Sequence, residues 1–254
     1  MSEEVKTEKV QTAQSSTLVK DLAMPVAIVL AGAFVGLGFF FSGGGTQGGG
    51  TVNLNAGNQP TNERMSAAEL IPMLVDEIDV DRDAFNECFD SQRTDALVQE
   101  DFDNAAATGG RGTPWSIVIG PSGKTYPING AVQAAQVKLI LETARNEAGL
   151  SATGAETDNV NPITADDYIK GSADAPIKVI EYSDYDCPFC SRFHTTMIDV
   201  MEDEEDVAWV YRHFPLVQLH PEAPAVARAA ECVGEIAGND AFWEFTDGYF
   251  EARS

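Results

Sequence analysis

The segment from Ile177 to Cys190 constrains the fold more than any other part of this chain. Its first part, Ile177 to Tyr182, is a short stretch that is rich in β-branched side chains and bounded by Pro and Ser, which predicts a buried strand. From Cys187 onward, apolar residues recur at helical spacing, so a helix is predicted to begin at this cysteine. A Cys-x-x-Cys at the first turn of a helix that follows a strand is typical of a redox motif.

The place of the two cysteines at a helix start predicts their chemistry. A helix N-terminus carries partial positive charge and unpaired backbone N–H groups, and both favour a thiolate over a thiol. Pro188 suits the first helical position because its missing N–H costs no hydrogen bond there. We therefore expect Cys187 to be an exposed nucleophile with a lowered pKa, and Cys190, one turn on, to be the shielded resolving thiol.

Two other uses of a Cys-x-x-Cys compete with the redox interpretation. The pair is also half of a zinc site, but Cys88 and Cys232 stand alone and the three histidines lack ligand-pair spacing. A structural disulfide is the second alternative, although so short a loop would stabilise the fold little. The redox interpretation is favoured, and neither a metal site nor a cofactor is predicted.

The overall charge excludes one class of partner. Asp and Glu number 40 against 16 Lys and Arg, which gives a formal net charge of −24 at pH 7. Nucleic-acid binding needs a basic surface that neutralises phosphates, so no nucleic-acid partner is predicted. The four cysteines, an even number, are compatible with an oxidising compartment.

The N-terminal residues predict attachment to a membrane. Residues 1–21 form a polar tail with three lysines, and residues 22–41 form an uncharged, mostly apolar run. A helix as long as this run spans about 30 Å, the thickness of the hydrocarbon core of a bilayer. A cleaved signal peptide is the alternative, but the run is long and no Ala-x-Ala-like site follows it. Because no Lys or Arg follows the run before Arg64, the positive-inside rule predicts a single-pass signal anchor in the cell membrane, with a cytoplasmic tail and an extracytoplasmic domain.

The remaining residues divide into two globular parts and two connections. Residues 42–60 are rich in Gly and Asn and predict a flexible linker, and residues 150–163 predict a second linker. Residues 61–149 predict three helices, the sequence Gly112-Thr-Pro114, two strands joined by a turn, and a final helix. Residues 164–254 hold the predicted strand and the Cys-x-x-Cys helix.

Residues 166–250 resemble the first half of the DsbA-like thiol–disulfide oxidoreductases, including the membrane-anchored BdbD-type group of bacteria. The resemblance rests, in order, on Gly171–Pro176, Glu181–Asp184, Cys187–Cys190, Tyr211–Pro215 and His220–Cys232. Residues 61–149 resemble the second half of the same family. The halves stand in reversed order, so we predict an α/β protein with a circularly permuted thioredoxin fold, carrying the DsbA-like helical insertion and preceded by one transmembrane helix. The alternative is two fragments of unrelated copies that cannot complete a sheet.

The resemblance also implies roles for residues at the site. Pro114 matches a proline that is cis and lies against the redox motif in this family, although most Gly-x-Pro prolines are trans. Thr113 matches the residue before it, and with Pro188 and Phe189 it is expected to contact substrate. Glu181 matches a buried acid that assists proton transfer at the resolving cysteine; the alternative is a glutamate at the sheet margin.

Two further expectations concern residues outside the motif. Some DsbA-like proteins carry a structural disulfide between the helices that match those of Cys88 and Cys232, so the resemblance implies this bond; buried free thiols are the alternative. His194, one turn beyond Cys190, is expected either to tune the thiolate or to be a solvated helix position.

The function that the resemblance implies is a membrane-tethered extracytoplasmic oxidoreductase. It would form or exchange disulfides in exported proteins and would itself exchange electrons with a membrane redox partner. The alternative is a non-catalytic thioredoxin-like module for binding or assembly, whose site has decayed.

Overall fold

The computed structural model describes residues 65–147 and 156–254, and these residues belong to one compact unit. The predicted tail, transmembrane run and Gly-rich linker lie outside this part of the chain. Within it, no helix is both long and apolar enough to cross a membrane.

Seven α-helices and five strands form in the described residues, with a short 3-10 turn at Glu156–Asn159. In chain order they are α1 (Ala67–Glu77), α2 (Arg82–Ser91), α3 (Asp95–Ala107), β1 (Trp115–Ile119), β2 (Thr125–Asn129), α4 (Ala134–Arg145), β3 (Tyr168–Gly171), β4 (Ile177–Ser183), α5 (Pro188–Met201), β5 (Val207–His213), α6 (Ala223–Ala237) and α7 (Asn239–Arg253). The mixed α/β class predicted from the sequence is confirmed.

All five strands form one sheet, in the order β2-β1-β4-β5-β3. The central strand β4 runs parallel to its neighbour β5, and every other pair is antiparallel. Strand β1 comes from the first globular part and β4 from the second, and their register places Trp115 opposite Tyr182. The two parts therefore complete a single sheet, which fits a thioredoxin-like fold and excludes independent lobes.

Helices cover both faces of this sheet. Alternate residues of β4 point to opposite faces, so Val179 joins the larger apolar core and Ile180 the smaller one. The larger core lies between the sheet and α1, α2 and α4–α7, while α3 covers the other face with Ala105. Because both faces are covered, every residue of β5 is buried. The central strands are therefore deeply buried, and a polar side chain on them needs a partner or a function.

A disulfide joins helices that lie far apart in the sequence. Cys88 of α2 is bonded to Cys232 of α6, with 5.8 Å between the Cα atoms and a sequence separation of 144. Both residues are fully buried. The implied Cys88–Cys232 bond is confirmed, and it ties one globular part to the other.

Residues 156–163, inside the predicted second linker, are fastened to the domain. The hydroxyl oxygens of Thr157 and Thr125 of β2 lie 3.1 Å apart. Asn104 of α3 donates from its amide to the carbonyl of Asn159 at 2.9 Å and accepts from the backbone N–H of Asn161 at 3.0 Å. The connection into β3 is thus held against α3 and β2 by side-chain hydrogen bonds.

Candidate active site

The two redox-motif cysteines lie where β4 ends and α5 begins. Cys187 precedes the first helical residue with an extended backbone, φ −78° and ψ 119°, and Pro188 occupies the first turn. Both cysteines are free thiols. Cys187 is 5% exposed and Cys190 fully buried. The expectation of an exposed Cys187 is therefore wrong, because the segment around Thr113 packs against its sulfur.

The two thiols have opposite pKa shifts. The pKa of Cys187 is lowered to about 6, chiefly by the hydrogen bond with the Cys190 side chain, and the backbone N–H groups of Phe189 and Cys190 at the helix start contribute. Burial raises the pKa of Cys190 well above its ordinary value. Cys187 therefore ionises first, as the helix-start argument predicts.

The predicted cis proline lies beside the motif. The Thr113–Pro114 peptide bond is cis. The Cys187 thiol donates to the carbonyl of Thr113 at 3.5 Å, across 74 positions of sequence. Pairing of β1 with β4 produces this contact, since β1 begins directly after Pro114 and lies alongside the strand that leads to Cys187. The predicted cis bond at Pro114 is confirmed, and the residue before Pro114 contacts the Cys187 sulfur.

Glu181 lies in the middle of the sheet and is fully buried. It stands on β4 between Ser116 of β1 and Tyr211 of β5, so the alternative of a residue at the sheet margin is wrong. Its Oε2 accepts a hydrogen bond from the indole of Trp209 at 3.0 Å, and its Oε1 has no hydrogen-bond partner. Burial raises the pKa of Glu181 to about 7. The negative charge of Glu181 also contributes to the raised pKa of Cys190.

Known proteins resemble the part of the chain that holds these residues. Residues 164–254 match the family model described as Thioredoxin. The chain contains a thioredoxin-superfamily domain. That match includes all of α7, Glu181 and both cysteines of the motif.

Curated relatives of this chain carry the name of an ion transporter. Na(+)/H(+) antiporter NhaA 3 of Salinispora tropica is 36% identical over 104 residues, which is 41% of this chain and 16% of the relative. Na(+)/H(+) antiporter NhaA 1 of Mycolicibacterium gilvum is 43% identical over 86 residues, 33% of this chain and 13% of the relative. The chain thus spans 16% or less of the length of these two relatives. No solved structure matches.

The predicted substrate-contacting residues lie close to Cys187 in the chain or in space. Pro188 and Phe189 are exposed, and the Phe189 ring is 53% exposed with the guanidinium of Arg192 4.8 Å from its centre. Thr113 is half-buried, and its carbonyl lies 3.5 Å from the Cys187 sulfur. Two of these residues directly follow Cys187 in the chain and the third contacts its sulfur, so all three lie near the thiol.

His194 is a buried packing residue, so its prediction as a solvated helix position is wrong. It is 2% exposed, and its Nε2 lies 2.8 Å from Oδ1 of Asp247 on α7. Its ring packs on Trp209 and Phe250, with centres 5.0 and 4.6 Å away. Burial lowers the pKa of His194, which favours a neutral imidazole. The residue joins α5 to α7 and supports Trp209, the partner of Glu181.

One group of side chains in the described residues has the composition of a metal site. Potential ligand atoms of Asp101, His213 and Glu231 lie within 4.8 Å of one another. The ring nitrogen Nε2 of His213 lies 2.8 Å from Glu231, and the backbone N–H of His213 donates to Asp101 at 2.9 Å. The guanidinium of Arg212 lies 3.8 Å from Asp101. These contacts already satisfy the carboxylates, so the group is explained as a hydrogen-bonded cluster that joins α3, β5 and α6.

Sequence reasoning missed two residues of the site. Trp209 holds one oxygen of Glu181, and Asp184 donates from its backbone to the Cys190 sulfur at 3.4 Å. Asp184 lies only three residues before Cys187 and two residues after the end of the predicted strand, so its position carried a signal. Trp209 carried none, because its role depends on the register of β4 with β5.

Proposed function

We propose that this chain is a DsbA-like thiol–disulfide oxidoreductase that acts on proteins through Cys187 and Cys190. The observation that carries the proposal is the pair of opposite pKa shifts at the start of α5, beside the cis Thr113–Pro114 bond. A two-step exchange requires one sulfur that ionises early and attacks the substrate, and a second, more deeply buried sulfur that ionises late and resolves the mixed disulfide.

The exchange proceeds through a mixed disulfide. The Cys187 thiolate attacks one sulfur of a substrate disulfide, that S–S bond breaks, and the other substrate sulfur leaves as a thiolate. Cys190 then loses its proton and attacks the Cys187 sulfur, which releases the second substrate thiolate. Two electrons pass from the cysteine pair to the substrate, and the same steps in reverse oxidise a substrate dithiol.

Glu181 supplies the proton transfer in the second step. The Cys190 thiol cannot ionise unaided, since burial raises its pKa. Glu181 has a free oxygen, Oε1, and a pKa raised to about 7, so it accepts a proton near neutral pH and returns it in the reverse direction. The bond from Trp209 fixes the other oxygen and thereby the orientation of the carboxyl group.

The sequence outside the described residues supports a proposal for where in the cell the domain acts. With residues 22–41 as an anchor, the domain would face exported proteins on the outer side of the cell membrane and exchange electrons with a membrane redox partner. The apolar surface of Pro188 and Phe189 next to Cys187 suits an unfolded protein segment. Ion transport is not favoured by the antiporter relatives, because the match covers 16% or less of the two compared above.

We also infer that the two globular parts are the halves of one circularly permuted domain. The β1–β2 hairpin precedes β4 in the chain yet completes its sheet, and the Cys88–Cys232 bond joins the halves. The test is a non-reducing gel of the full chain with mass mapping of the bond. A monomer with Cys88 joined to Cys232 supports permutation, whereas a dimer cross-linked through this pair would mean that the halves of two chains complete each other.

A thiol-exchange assay tests the function. The full chain is mixed with a fluorescent peptide that holds one disulfide, at pH 7, and compared with Cys187→Ala, Cys190→Ala and a Cys88→Ala/Cys232→Ala control. We expect no exchange for Cys187→Ala, a trapped covalent adduct for Cys190→Ala, and exchange in the control. Absence of exchange in the unmodified chain would instead favour a non-catalytic binding module.

A further inference from the structure

Asp184 lies between the redox motif and the loop that follows β5. It comes directly after β4 and its side chain is fully buried. Its two carboxylate oxygens accept three hydrogen bonds. Oδ1 accepts from the backbone N–H of Asp186 at 2.9 Å. Oδ2 accepts from the backbone N–H of Leu216 at 2.7 Å and from Nδ1 of His220 at 2.9 Å. The carboxylate thus joins the turn before α5 to residues 216–220.

The backbone of Asp184 contacts both cysteines. Its N–H donates to the Cys190 sulfur at 3.4 Å, and its carbonyl accepts from the backbone N–H of Cys187 at 3.1 Å. Neither contact depends on the identity of the side chain, but both depend on how the turn is held. The side chain holds the turn through Asp186 and the 216–220 loop. It therefore controls the placement of the sulfur that must travel to Cys187.

We propose that Asp184 is a positioning residue for the resolving step: its buried carboxylate fixes the turn so that its own N–H orients the Cys190 sulfur toward Cys187. This inference rests on the proposed exchange function. A hydrogen bond to a sulfur strengthens as the thiol becomes a thiolate, so it favours the loss of the Cys190 proton that must precede the attack on Cys187. The first step, attack of Cys187 on substrate, does not use this bond.

The chemistry of the carboxylate makes Asp184→Asn a sharp test. A carboxylate offers only acceptors, and here three donors approach its two oxygens. An asparagine has the same shape but replaces one oxygen by an NH₂ group, so at least one N–H would face another N–H. The turn then loses a charge-assisted hydrogen bond, and we expect the resolving step to slow by about tenfold.

The experiment separates the two steps with glutathione disulfide as the probe. Reduced full-length protein is mixed with the probe, quenched in acid at intervals and weighed by intact mass spectrometry. Formation of glutathionylated Cys187 releases one glutathione, and attack by Cys190 releases the second and forms the Cys187–Cys190 disulfide. For Asp184→Asn we expect an adduct that lives about tenfold longer, with formation changed by less than about threefold.

Asp167→Asn is the matched control. Asp167 is also a buried carboxylate with three donors, the backbone N–H of Thr164 at 2.7 Å and two nitrogens of Arg212 at 2.8 and 3.1 Å, but it lies just before β3. We expect it to lower the melting temperature and leave the adduct lifetime unchanged. An equal slowing in this control would overturn the proposal, as would an Asp184→Asn adduct that resolves at the normal rate.

A second variant keeps the proposal testable if Asp184→Asn does not fold. His220→Ala removes one donor to Asp184 and no atom that contacts either cysteine. We expect an adduct lifetime about two- to fivefold longer, and an unchanged lifetime would contradict the proposal. If the unmodified protein forms neither the adduct nor the Cys187–Cys190 disulfide, the proposed function fails. That outcome differs from an adduct that forms and resolves normally in every variant.

Discussion

Replacement of Glu181 by Gln tests the buried carboxyl group on which the proposed proton transfer depends. Glu181 is fully buried, and its pKa is raised from 4.5 to about 7. In the unfolded chain the group ionises near pH 4.5, whereas in the folded protein it keeps its proton up to about pH 7. Folding therefore binds a proton in this window, and the stability that this group contributes at low pH is lost as the pH rises through about 7.

The size of the effect follows from the width of the window. A rise in the pKa of Glu181 from 4.5 to about 7 corresponds to about 3 kcal/mol of unfolding free energy. Gln has the shape of the protonated acid and can still accept from Trp209, so the variant and the parent should be equally stable near pH 4.5. At pH 8 the variant should be more stable by about 3 kcal/mol, because the parent must then bury a carboxylate.

Urea unfolding between pH 4.5 and 8.5 measures this difference. The best background is Cys187→Ala/Cys190→Ala, in which no thiol titrates and the Cys88–Cys232 bond stays intact without reductant. Other buried acids act in both proteins alike, including Asp101, whose pKa burial also raises to about 7, so they cancel in the comparison. A stability difference that does not change with pH would refute the assignment of the raised pKa to Glu181.

Three further predictions concern other parts of the described chain. In the reduced protein, iodoacetamide should modify Cys187 with a rate that is half-maximal near pH 6, and equal rates at Cys190 would contradict the assignment of roles. Replacing Cys88 and Cys232 by Ala should remove up to about 5 kcal/mol in the chain-entropy account, seen as a lower melting temperature with thiol exchange retained. Arg212→Met leaves the Asp167 carboxylate without its ion-pair partner and should reduce the unfolding free energy by about 3–5 kcal/mol, measured by urea titration. The control is Arg93→Met, which removes only a surface ion pair.

The sequence predicted the elements of the site better than their exposure. Local patterns were sufficient for β4 and for the start of α5 beside Cys187, because each depends on periodicity or on helix-end chemistry. The burial of Glu181 was expected only from the family resemblance. The exposure of Cys187 depends on a segment 74 positions away, the carbonyl of Thr113, and no local pattern reports that contact. Burial of His194 has the same cause, since α7 covers it.

Partners across the sheet were the least predictable feature. Trp209 reaches Glu181 only because β4 and β5 pair in parallel with Val179 beside Trp209 and Glu181 beside Tyr211. Shifting that register by one residue would turn the indole to the opposite face of the sheet. Such a register is set by the packing of the whole core, which a single sequence read in order does not contain.

The position of the site explains why the order of the halves matters little for its chemistry. The cysteine motif follows the carboxyl end of β4, and the loop bearing Thr113 and Pro114 enters β1 at the same edge of the sheet, because the two strands are antiparallel. What brings the loop to the sulfur is this pairing, not the covalent connection between the halves. Any chain order that keeps β1 beside β4 therefore assembles the same contacts around Cys187. Connections elsewhere, such as residues 156–163 along α3, alter the entropy of closing the chain rather than the geometry of the thiols.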